Sequence, residues 1–448
     1  MAGKKILENY RGFDDGLSYL TGVSDLNPWA LRAMTRPHTY TGPNFWVFYN
    51  DTIELIKEYL HTKATLIPIP GPGRVVMDAA MNNFFEPGDR MLMIDNGYWG
   101  RYPEVMAQTY GIQLVPLVIP IQRPVDPQAV EEKLKSEKNI KAVHVMHVET
   151  ETGIINPVKQ IGEVVRRLAP NVLYIVDSAT AFPGNPIDFD KWGIDVGYFV
   201  SHKGFNGPSG LNYLIVNDRA MKAFRNRSKP PQAWYTSIQT WLDIWLENTN
   251  DGRHCLESFP NVILQAMRAK LDLMNELGEE RYLKKYELAS RAIRMGVRKM
   301  TEPADMLIGA GPRCQGCPGC EAPDPSLTLD GKGRFCAQTD VSIAYPKNTD
   351  WKKIVEVIQE RYWITCPHFG FGDERKDGYF YTANGMRIGS INDRQHYPRN
   401  ILALITALGF TLKEGGIPGI KWEKGVEATN EILKEMQRTL GWKYYDAE

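Results

Sequence analysis

The stretch Val172-Leu-Tyr-Ile-Val-Asp177-Ser-Ala-Thr180 decides the fold. Its apolar run is typical of a strand buried on both faces, and a carboxylate follows the run directly. Further along the chain, Val196-Gly-Tyr-Phe-Val200 is a second apolar run, and it is followed by Ser201-His-Lys203-Gly. Two buried strands that each end near a charged side chain predict a parallel sheet with a ligand site at the carboxyl ends of its strands.

The surrounding sequence extends this pattern. From about residue 64 to residue 217, strand-like runs alternate with amphipathic stretches; the runs begin at Met91, Gln113, Ala142, Val172, Val196 and Leu211, and helices are predicted over 75–85, 103–110, 127–136 and 158–168. Such alternation predicts an α/β domain with a mostly parallel sheet. Residues 259–300 are predicted to form one long helix, and the segments after it predict a smaller α+β domain.

Composition narrows the class of protein. The chain has 448 residues, with 43% hydrophobic residues and equal numbers of basic and acidic side chains, 53 each. A balanced charge gives no reason to expect nucleic acid or an anionic membrane as a partner. No segment has the apolar length of a membrane span or of a signal peptide, so we expect a cytoplasmic protein.

The charged strand ends and a glycine turn together indicate one cofactor. Ile69-Pro-Gly71-Pro-Gly73-Arg74 precedes a predicted helix, whose N-terminal N–H groups and a nearby arginine suit a phosphate. Lys203 can form a Schiff base with an aldehyde, and a buried Asp177 can pair with a protonated pyridine nitrogen. Pyridoxal phosphate requires these three features.

Five motifs, in order, resemble the large domain of the class V, fold-type I pyridoxal phosphate enzymes, most closely the serine–pyruvate and alanine–glyoxylate aminotransferase group. They are Phe85-Glu-Pro-Gly-Asp-Arg90, Asp95-Asn-Gly-Tyr-Trp-Gly100, His147-Val-Glu-Thr-Glu-Thr-Gly153, Val176-Asp-Ser-Ala179 and Ser201-His-Lys-Gly-Phe-Asn-Gly-Pro-Ser-Gly210. The resemblance implies a mostly parallel, seven-stranded sheet and amino transfer between a small amino acid and a 2-oxo acid. It also implies an N-terminal arm (1–25), a large cofactor-binding domain (26–285) and a small C-terminal domain (286–448).

The same resemblance implies roles for single residues. Lys203 falls on the Schiff-base lysine and Asp177 on the residue that pairs with the pyridine nitrogen. Arg387, in Gly385-Met-Arg-Ile-Gly389, falls on the arginine that binds the substrate carboxylate. The other matched cofactor positions are Gly73, Arg74 and His202 at the phosphate, Trp99 on the ring face, Thr150 at the ring oxygen, and Ser258, which would reach the phosphate from the partner subunit of a homodimer.

The sequence departs from the family at the pocket. The phosphate turn of the family usually reads Ser-Gly-Ser-Gly, whereas this chain has Pro70-Gly-Pro-Gly-Arg74, so Arg74 has a second interpretation as the binder of an acidic substrate group. Tyr19-Leu-Thr-Gly-Val-Ser-Asp25 stands where the family has a Gly-Pro-Gly-Pro loop. Substrate identity therefore does not follow from the resemblance.

A cysteine group has no counterpart in ordinary aminotransferases. Cys314, Cys317, Cys320 and Cys336 lie within a predicted insertion over 309–336. Four thiolates at this spacing can bind zinc or an iron–sulfur cluster, and disulfides or free thiols are the alternatives. A bound metal would mainly stabilise a loop that has little apolar content of its own.

Two rival functions remain open on the sequence alone. Cys366 precedes Arg387 as the persulfide-forming cysteine of the desulfurases precedes their substrate-binding arginine, so a C–S lyase or desulfurase that uses Cys366 or the cysteine group is one alternative. A buried, unreactive thiol is the other interpretation of Cys366. The second rival is a metal- or cluster-binding regulatory protein on a transferase scaffold.

Overall fold

The computed structural model describes residues 16–22, 26–36, 42–119, 123–246, 258–302, 306, 336–346, 349–370 and 384–441. Within this part of the chain, no helix is long and apolar enough to cross a membrane. Cys314, Cys317 and Cys320 lie outside the described residues, as do most of the predicted N-terminal arm and most of the predicted insertion.

A seven-stranded sheet forms the centre of the larger part of the molecule, in the order β2-β10-β9-β8-β5-β3-β4. The strand β10 runs antiparallel to its two neighbours, and the other strands are parallel to one another. The fold class predicted from the sequence is therefore confirmed. The strands are β1 (Leu17–Ser18), β2 (Thr65–Pro70), β3 (Arg90–Asp95), β4 (Gln113–Val118), β5 (Ile140–Met146), β6 (Val148–Glu149), β7 (Ile154–Ile155), β8 (Leu173–Asp177), β9 (Val196–Val200) and β10 (Leu211–Val216).

Helices pack on this sheet and close a continuous apolar core. The strands β8, β9 and β10 are buried along their whole length, which explains their uninterrupted apolar sequences. The helices are α1 (Pro28–Met34), α2 (Pro43–Leu60), α3 (Val75–Phe84), α4 (Tyr98–Arg101), α5 (Pro103–Tyr110), α6 (Pro127–Ser136), α7 (Val158–Leu168), α8 (Asp218–Arg225), α9 (Ile238–Trp241), α10 (Asn261–Leu277) and α11 (Glu279–Thr301).

A second apolar core lies in the C-terminal part, around a three-stranded antiparallel sheet in the order β11-β14-β13. Tyr19 joins this core because β1 pairs with β12. The elements are β11 (Asp340–Ala344), α12 (Trp351–Glu356), β12 (Ile364–Thr365), β13 (His368–Gly370), β14 (Asn384–Gly389), α13 (Pro398–Glu414) and α14 (Trp422–Leu440).

Two features differ from the sequence-based expectation. The predicted long helix over 259–300 is two helices, because Gly278 adopts a left-handed conformation with φ of 78° between α10 and α11. The strand β2 was not predicted because Pro68 and Pro70 interrupt its apolar run. Its position at an edge of the sheet explains why proline is tolerated there.

Candidate active site

A cavity of about 280 Å³ lies at the carboxyl ends of the parallel strands. Asp177 is the last residue of β8, and Lys203 lies three residues beyond the end of β9. Because neighbouring parallel strands end on the same side of a sheet, the two side chains reach one space. The cavity is lined by seven of the residues predicted from the sequence: Gly73, Arg74, Trp99, Thr150, Asp177, His202 and Lys203.

The Asp177 carboxylate is buried at the floor of this cavity, with 4% of the residue exposed. Its Oδ1 accepts a hydrogen bond of 2.8 Å from the backbone N–H of Ala179. Burial raises the pKa of Asp177 to about 7, although the Ala179 N–H, Tyr198 and Lys203 favour the charged form. The carboxylate therefore gains from any cation that enters the cavity beside it.

Tyr198 and His144 lie on the two strands beside that of Asp177, and neither residue was predicted from the sequence. The Tyr198 hydroxyl oxygen lies 2.9 Å from His144 Nε2, and both residues are buried. Burial lowers the pKa of His144 to about 4, so its imidazole is neutral near pH 7. The only sequence signal was a polar residue inside each buried strand, β5 and β9.

Lys203 is partly buried at the same site, and its Nζ donates a hydrogen bond to the carbonyl oxygen of Thr21. Burial and the nearby Arg387 lower the pKa of Lys203 to about 8, against the opposite effect of the carboxylates of Asp340, Asp177 and Glu151. A lysine with this pKa is partly a free amine near neutral pH, as a nucleophile or proton acceptor requires.

The turn before α3 forms one end of the cavity. A Cβ on Gly73 would lie 2.8 Å from His202 Cε1, so a larger residue at this position would require the His202 ring to move. Arg74 is the residue immediately before α3, and its guanidinium lies 4.4 Å from the ring centroid of Tyr102 and 5.4 Å from that of Trp99. His202 Nδ1 has no hydrogen-bond partner among the described residues.

Trp99 and Thr150 line the middle of the cavity. Glu149 fixes the Trp99 backbone, since its carboxylate accepts hydrogen bonds from the N–H groups of Trp99 (3.3 Å) and Gly100 (2.8 Å). The Thr150 hydroxyl oxygen lies 2.7 Å from that of Thr180. An aromatic plane and a hydroxyl pair therefore flank the space between Asp177 and Lys203.

Arg387 approaches this space from the C-terminal part of the chain, on β14. Its Nη1 lies 3.7 Å from Glu151 Oε1, and both side chains are largely buried. Asp340, the first residue of β11, lies close enough to Arg387 and Lys203 for both cations to lower its pKa. Neither Asp340 nor Glu151 was given a role from the sequence. A charged residue on a buried strand could have indicated a functional role for Asp340.

The other predicted residues lie elsewhere or are not described. Ser258 is exposed and is not among the residues that line the cavity. Cys336 is buried and forms an isolated β-bridge with Ile154. No group of three or more potential metal ligands occurs within the described ranges. Of the four cysteines predicted to bind zinc or an iron–sulfur cluster, only Cys336 lies within the described residues.

Cys366 has the environment of a buried, unreactive thiol. It is buried with 2% exposure in the C-terminal apolar core, and it does not line the cavity. Burial raises the pKa of its thiol well above the usual range, so the nucleophilic thiolate is disfavoured. This geometry agrees with the interpretation of Cys366 as a buried thiol and gives no support to a sulfur-carrying role.

Comparison with known proteins supports a single family. Residues 41–297 match the family described as Aminotransferase class-V. An aminotransferase of Methanocaldococcus jannaschii, itself described as uncharacterized, is 27% identical over 93% of this chain and 97% of its own. The alanine–glyoxylate aminotransferase of Callithrix jacchus is 27% identical over 66% of this chain and 65% of its own.

A solved structure shares the fold. The pyridoxamine–pyruvate aminotransferase of Mesorhizobium loti superposes with a TM-score of 0.77 over 94% of this chain and 97% of its own, at 22% identity. The shared fold therefore covers both the seven-stranded sheet and the C-terminal part.

Proposed function

The chain belongs to the class-V aminotransferases, a family whose cofactor is pyridoxal phosphate, and on that premise we propose that it moves an amino group between an amino acid and a 2-oxo acid. The observation that carries the proposal is that Asp177 and Lys203 line one cavity and that Arg387 lies close enough to Lys203 to lower its pKa. An anion, an amine of lowered pKa and a carboxylate-binding guanidinium are the groups that this chemistry requires.

The residues present fit the cofactor. The carboxylate of Asp177 is buried beside an open space of about 280 Å³ and would gain from a protonated ring nitrogen. His202 Nδ1 and Trp99 Nε1 have no partner among the described residues, and each can donate to an acceptor on a bound group. Gly73 leaves room beside His202, where a Cβ would come within 2.8 Å of the His202 ring.

Pyridoxal phosphate, when bound, supplies an aldehyde carbon for amine exchange and a conjugated ring that accepts the electrons released by loss of the substrate α-proton. Lys203 is proposed to form the covalent link to that aldehyde. With an amino acid bound, the Lys203 Nζ would accept the substrate α-proton and later return a proton. Its lowered pKa, about 8, keeps a useful fraction of the amine neutral for this purpose.

Asp177 is proposed to hold its negative charge against the protonated ring nitrogen. Its low exposure limits its contact with water, and the Ala179 N–H and Tyr198 both favour the charged carboxylate. Trp99 would cover one face of the ring and exclude water from it. Thr150 would donate or accept at the ring oxygen through its hydroxyl pair with Thr180.

Arg387 is proposed to bind the substrate carboxylate, because a guanidinium offers two parallel N–H donors to a carboxylate. Gly73, His202 and the first turn of α3 are proposed to hold the phosphate, as the free N–H groups of a helix N-terminus suit an anion. Arg74 is proposed to add a positive charge at that end. In the alternative interpretation, the same positive charge of Arg74 would bind an acidic group of the substrate.

A homodimer completes the proposal. Ser258 is exposed on this chain and does not line its own cavity. This exposure agrees with the role that the family resemblance gives Ser258, at the phosphate of the partner subunit. Analytical ultracentrifugation of the purified protein would test the dimer, and a monomer at all concentrations would contradict it.

A chemical experiment tests the cofactor assignment without relying on turnover. Reduction of the purified protein with borohydride traps the cofactor on its lysine, and peptide mass spectrometry then locates the modification. We expect the pyridoxyl group on Lys203. A matched variant, Lys270→Arg, changes another buried lysine that lies outside the cavity and is expected to leave the labelling of Lys203 in place. Label on a different lysine, or none at all, would refute the assignment.

A further inference from the structure

The wall of the site that carries Arg387 also carries acidic groups. In the pairing of β11 with β14, Ser342 lies opposite Arg387 and Asp340 lies opposite Gly389. Residues opposite each other in an antiparallel pair point to the same face, so Asp340, Ser342 and Arg387 share one face of the sheet. Glu151 reaches the same face through its contact of 3.7 Å with Arg387. We call these four residues the acidic wall.

The acidic wall is rich in buried polar atoms that have no partner. Glu151 Oε2, Ser342 Oγ, Arg387 Nε and both carboxylate oxygens of Asp340 are buried, and no side chain of the described residues hydrogen-bonds to them. Asp340 is 1% exposed and Ser342 is 1% exposed. A buried polar atom without a partner costs free energy, and a group of them beside an active site indicates a ligand that satisfies them.

The charges of the acidic wall define that ligand further. A substrate carboxylate at Arg387 adds one negative charge beside Glu151 and Asp340, and like charges at close range disfavour binding. Burial raises the pKa of Asp340 well above its usual range, although Arg387, Lys203 and the backbone N–H of Val341 oppose this effect. A second positive charge on the substrate would pair with Asp340 and remove the repulsion.

Resting on the proposed aminotransfer, we propose that the amino-acid substrate carries a basic side chain, an ammonium or a guanidinium, that binds Asp340 while its α-carboxylate binds Arg387. The acidic wall offers such a group four unused acceptor atoms: both oxygens of Asp340, Glu151 Oε2 and Ser342 Oγ. A guanidinium or ammonium has only donors, so it can satisfy them without leaving a new unpaired group.

Isosteric substrate pairs test the charge preference. Arginine carries a guanidinium where citrulline carries an uncharged ureido group. The amino acids α-amino-β-guanidinopropanoate and α-amino-β-ureidopropanoate differ in the same way and have shorter side chains. One of the two pairs should have the side-chain length that the site accepts. For that pair, we expect the kcat/KM of the holoenzyme to be about 10-fold to 100-fold higher with the charged amino acid than with the neutral one. Equal values for both members of each pair would overturn the inference.

An unreactive pair tests binding independently of catalysis. The acids δ-guanidinopentanoate and δ-ureidopentanoate are arginine and citrulline without their α-amino groups, so they bind but cannot donate nitrogen. By calorimetry, the guanidino acid should bind the holoenzyme at least about tenfold more tightly than the ureido acid. Asp340→Asn should collapse this ratio toward one, and Asp340→Glu should restore part of it.

Asp272→Asn is the matched control, because it removes the same charge from a carboxylate that is 59% exposed on α10. We expect it to leave the binding ratio as in the wild type. Loss of affinity for both acids to the same extent in Asp340→Asn would assign Asp340 a purely structural role and overturn the inference. If neither pair donates nitrogen but another amino acid such as alanine does, the inference is overturned and the proposed function stands. The proposed function fails separately, if no amino acid donates its nitrogen to a 2-oxo acid.

Discussion

Glu151 Oε1 lies 3.7 Å from Arg387 Nη1, so the guanidinium proposed to bind the substrate carboxylate already has an acidic neighbour. A 2-oxo acid that binds Arg387 must do so against the charge of Glu151. Burial raises the pKa of Glu151, while Arg387 and Lys203 oppose that rise and favour its charged form.

Glu151→Gln should therefore lower the KM for an uncharged 2-oxo acid such as pyruvate by about threefold to tenfold, because the mutation removes a partly buried like charge. Steady-state kinetics at fixed amino donor would measure the change. Glu54→Gln neutralises a carboxylate on α2 whose side chain is 67% exposed and serves as the control. An unchanged or higher KM in Glu151→Gln would contradict the repulsion.

The pH dependence of proton transfer should follow Lys203. Its Nζ must be neutral to accept a proton, so the rate of the half-reaction should rise with pH and level off above about 8. Asp340 raises the pKa of Lys203 and Arg387 lowers it. Asp340→Asn should therefore move the midpoint to lower pH, and Arg387→Gln should move it to higher pH. Stopped-flow absorbance would measure both, and shifts in the same direction would contradict the assignment.

Asp177→Asn should reduce kcat by about 100-fold to 1000-fold, because the amide keeps the shape of the side chain but cannot hold a negative charge against a developing positive one. The variant should still retain the cofactor on Lys203, as judged by absorbance after gel filtration. A loss of less than about tenfold would show that Asp177 is not the ring partner.

The sequence predicted the sheet because its strands are buried on both faces and therefore read as uninterrupted apolar runs. It also predicted Asp177, Lys203 and Arg387, since each follows or lies within a distinctive motif. The acidic wall was not predicted, because Asp340 and Arg387 are brought together only by the pairing of β11 with β14. The two residues are far apart in the sequence, and no local pattern indicates that their strands pair. The helix break at Gly278 was missed because the apolar periodicity continues on both sides of it.

A buried ion cluster should stabilise the contact between the N-terminal part and the C-terminal part. Asp393 pairs with Lys270 at 2.9 Å and with Lys285, and it accepts a hydrogen bond of 2.9 Å from Asn27 Nδ2. Burial alone would raise the pKa of Asp393, but the two lysines lower it well below its usual range. A depressed pKa means that the carboxylate stabilises the fold at neutral pH and that this contribution is lost as the pH falls below about 4.

Asp393→Asn should consequently lower the free energy of unfolding by about 3–5 kcal/mol at pH 7, because it leaves two buried ammonium groups without a counter-charge. Urea unfolding would measure the loss, and the difference from the wild type should shrink in the acid range. Asp272→Asn, at an exposed position, should cost less than about 1 kcal/mol. Equal stabilities for wild type and Asp393→Asn would contradict a stabilising cluster.

Cys366→Ala should leave aminotransfer intact, since the thiol lies in the C-terminal apolar core and does not line the cavity. The same variant should lose about 1 kcal/mol of stability through the small void that it creates. Assays of sulfide release from cysteine would complete the comparison. A wild type that releases sulfide and a Cys366→Ala variant that does not would revive the desulfurase interpretation.

One measurement tests the central claim most directly: a single-turnover reaction of the holoenzyme with an amino acid, followed by addition of a 2-oxo acid. We predict one equivalent of 2-oxo acid per active site with a shift of the visible absorption band, no release of ammonia, and recovery of the original band when the acceptor is added. Lys203→Ala should not support this cycle. Release of ammonia or sulfide without any need for an acceptor would contradict aminotransfer as the function of this site.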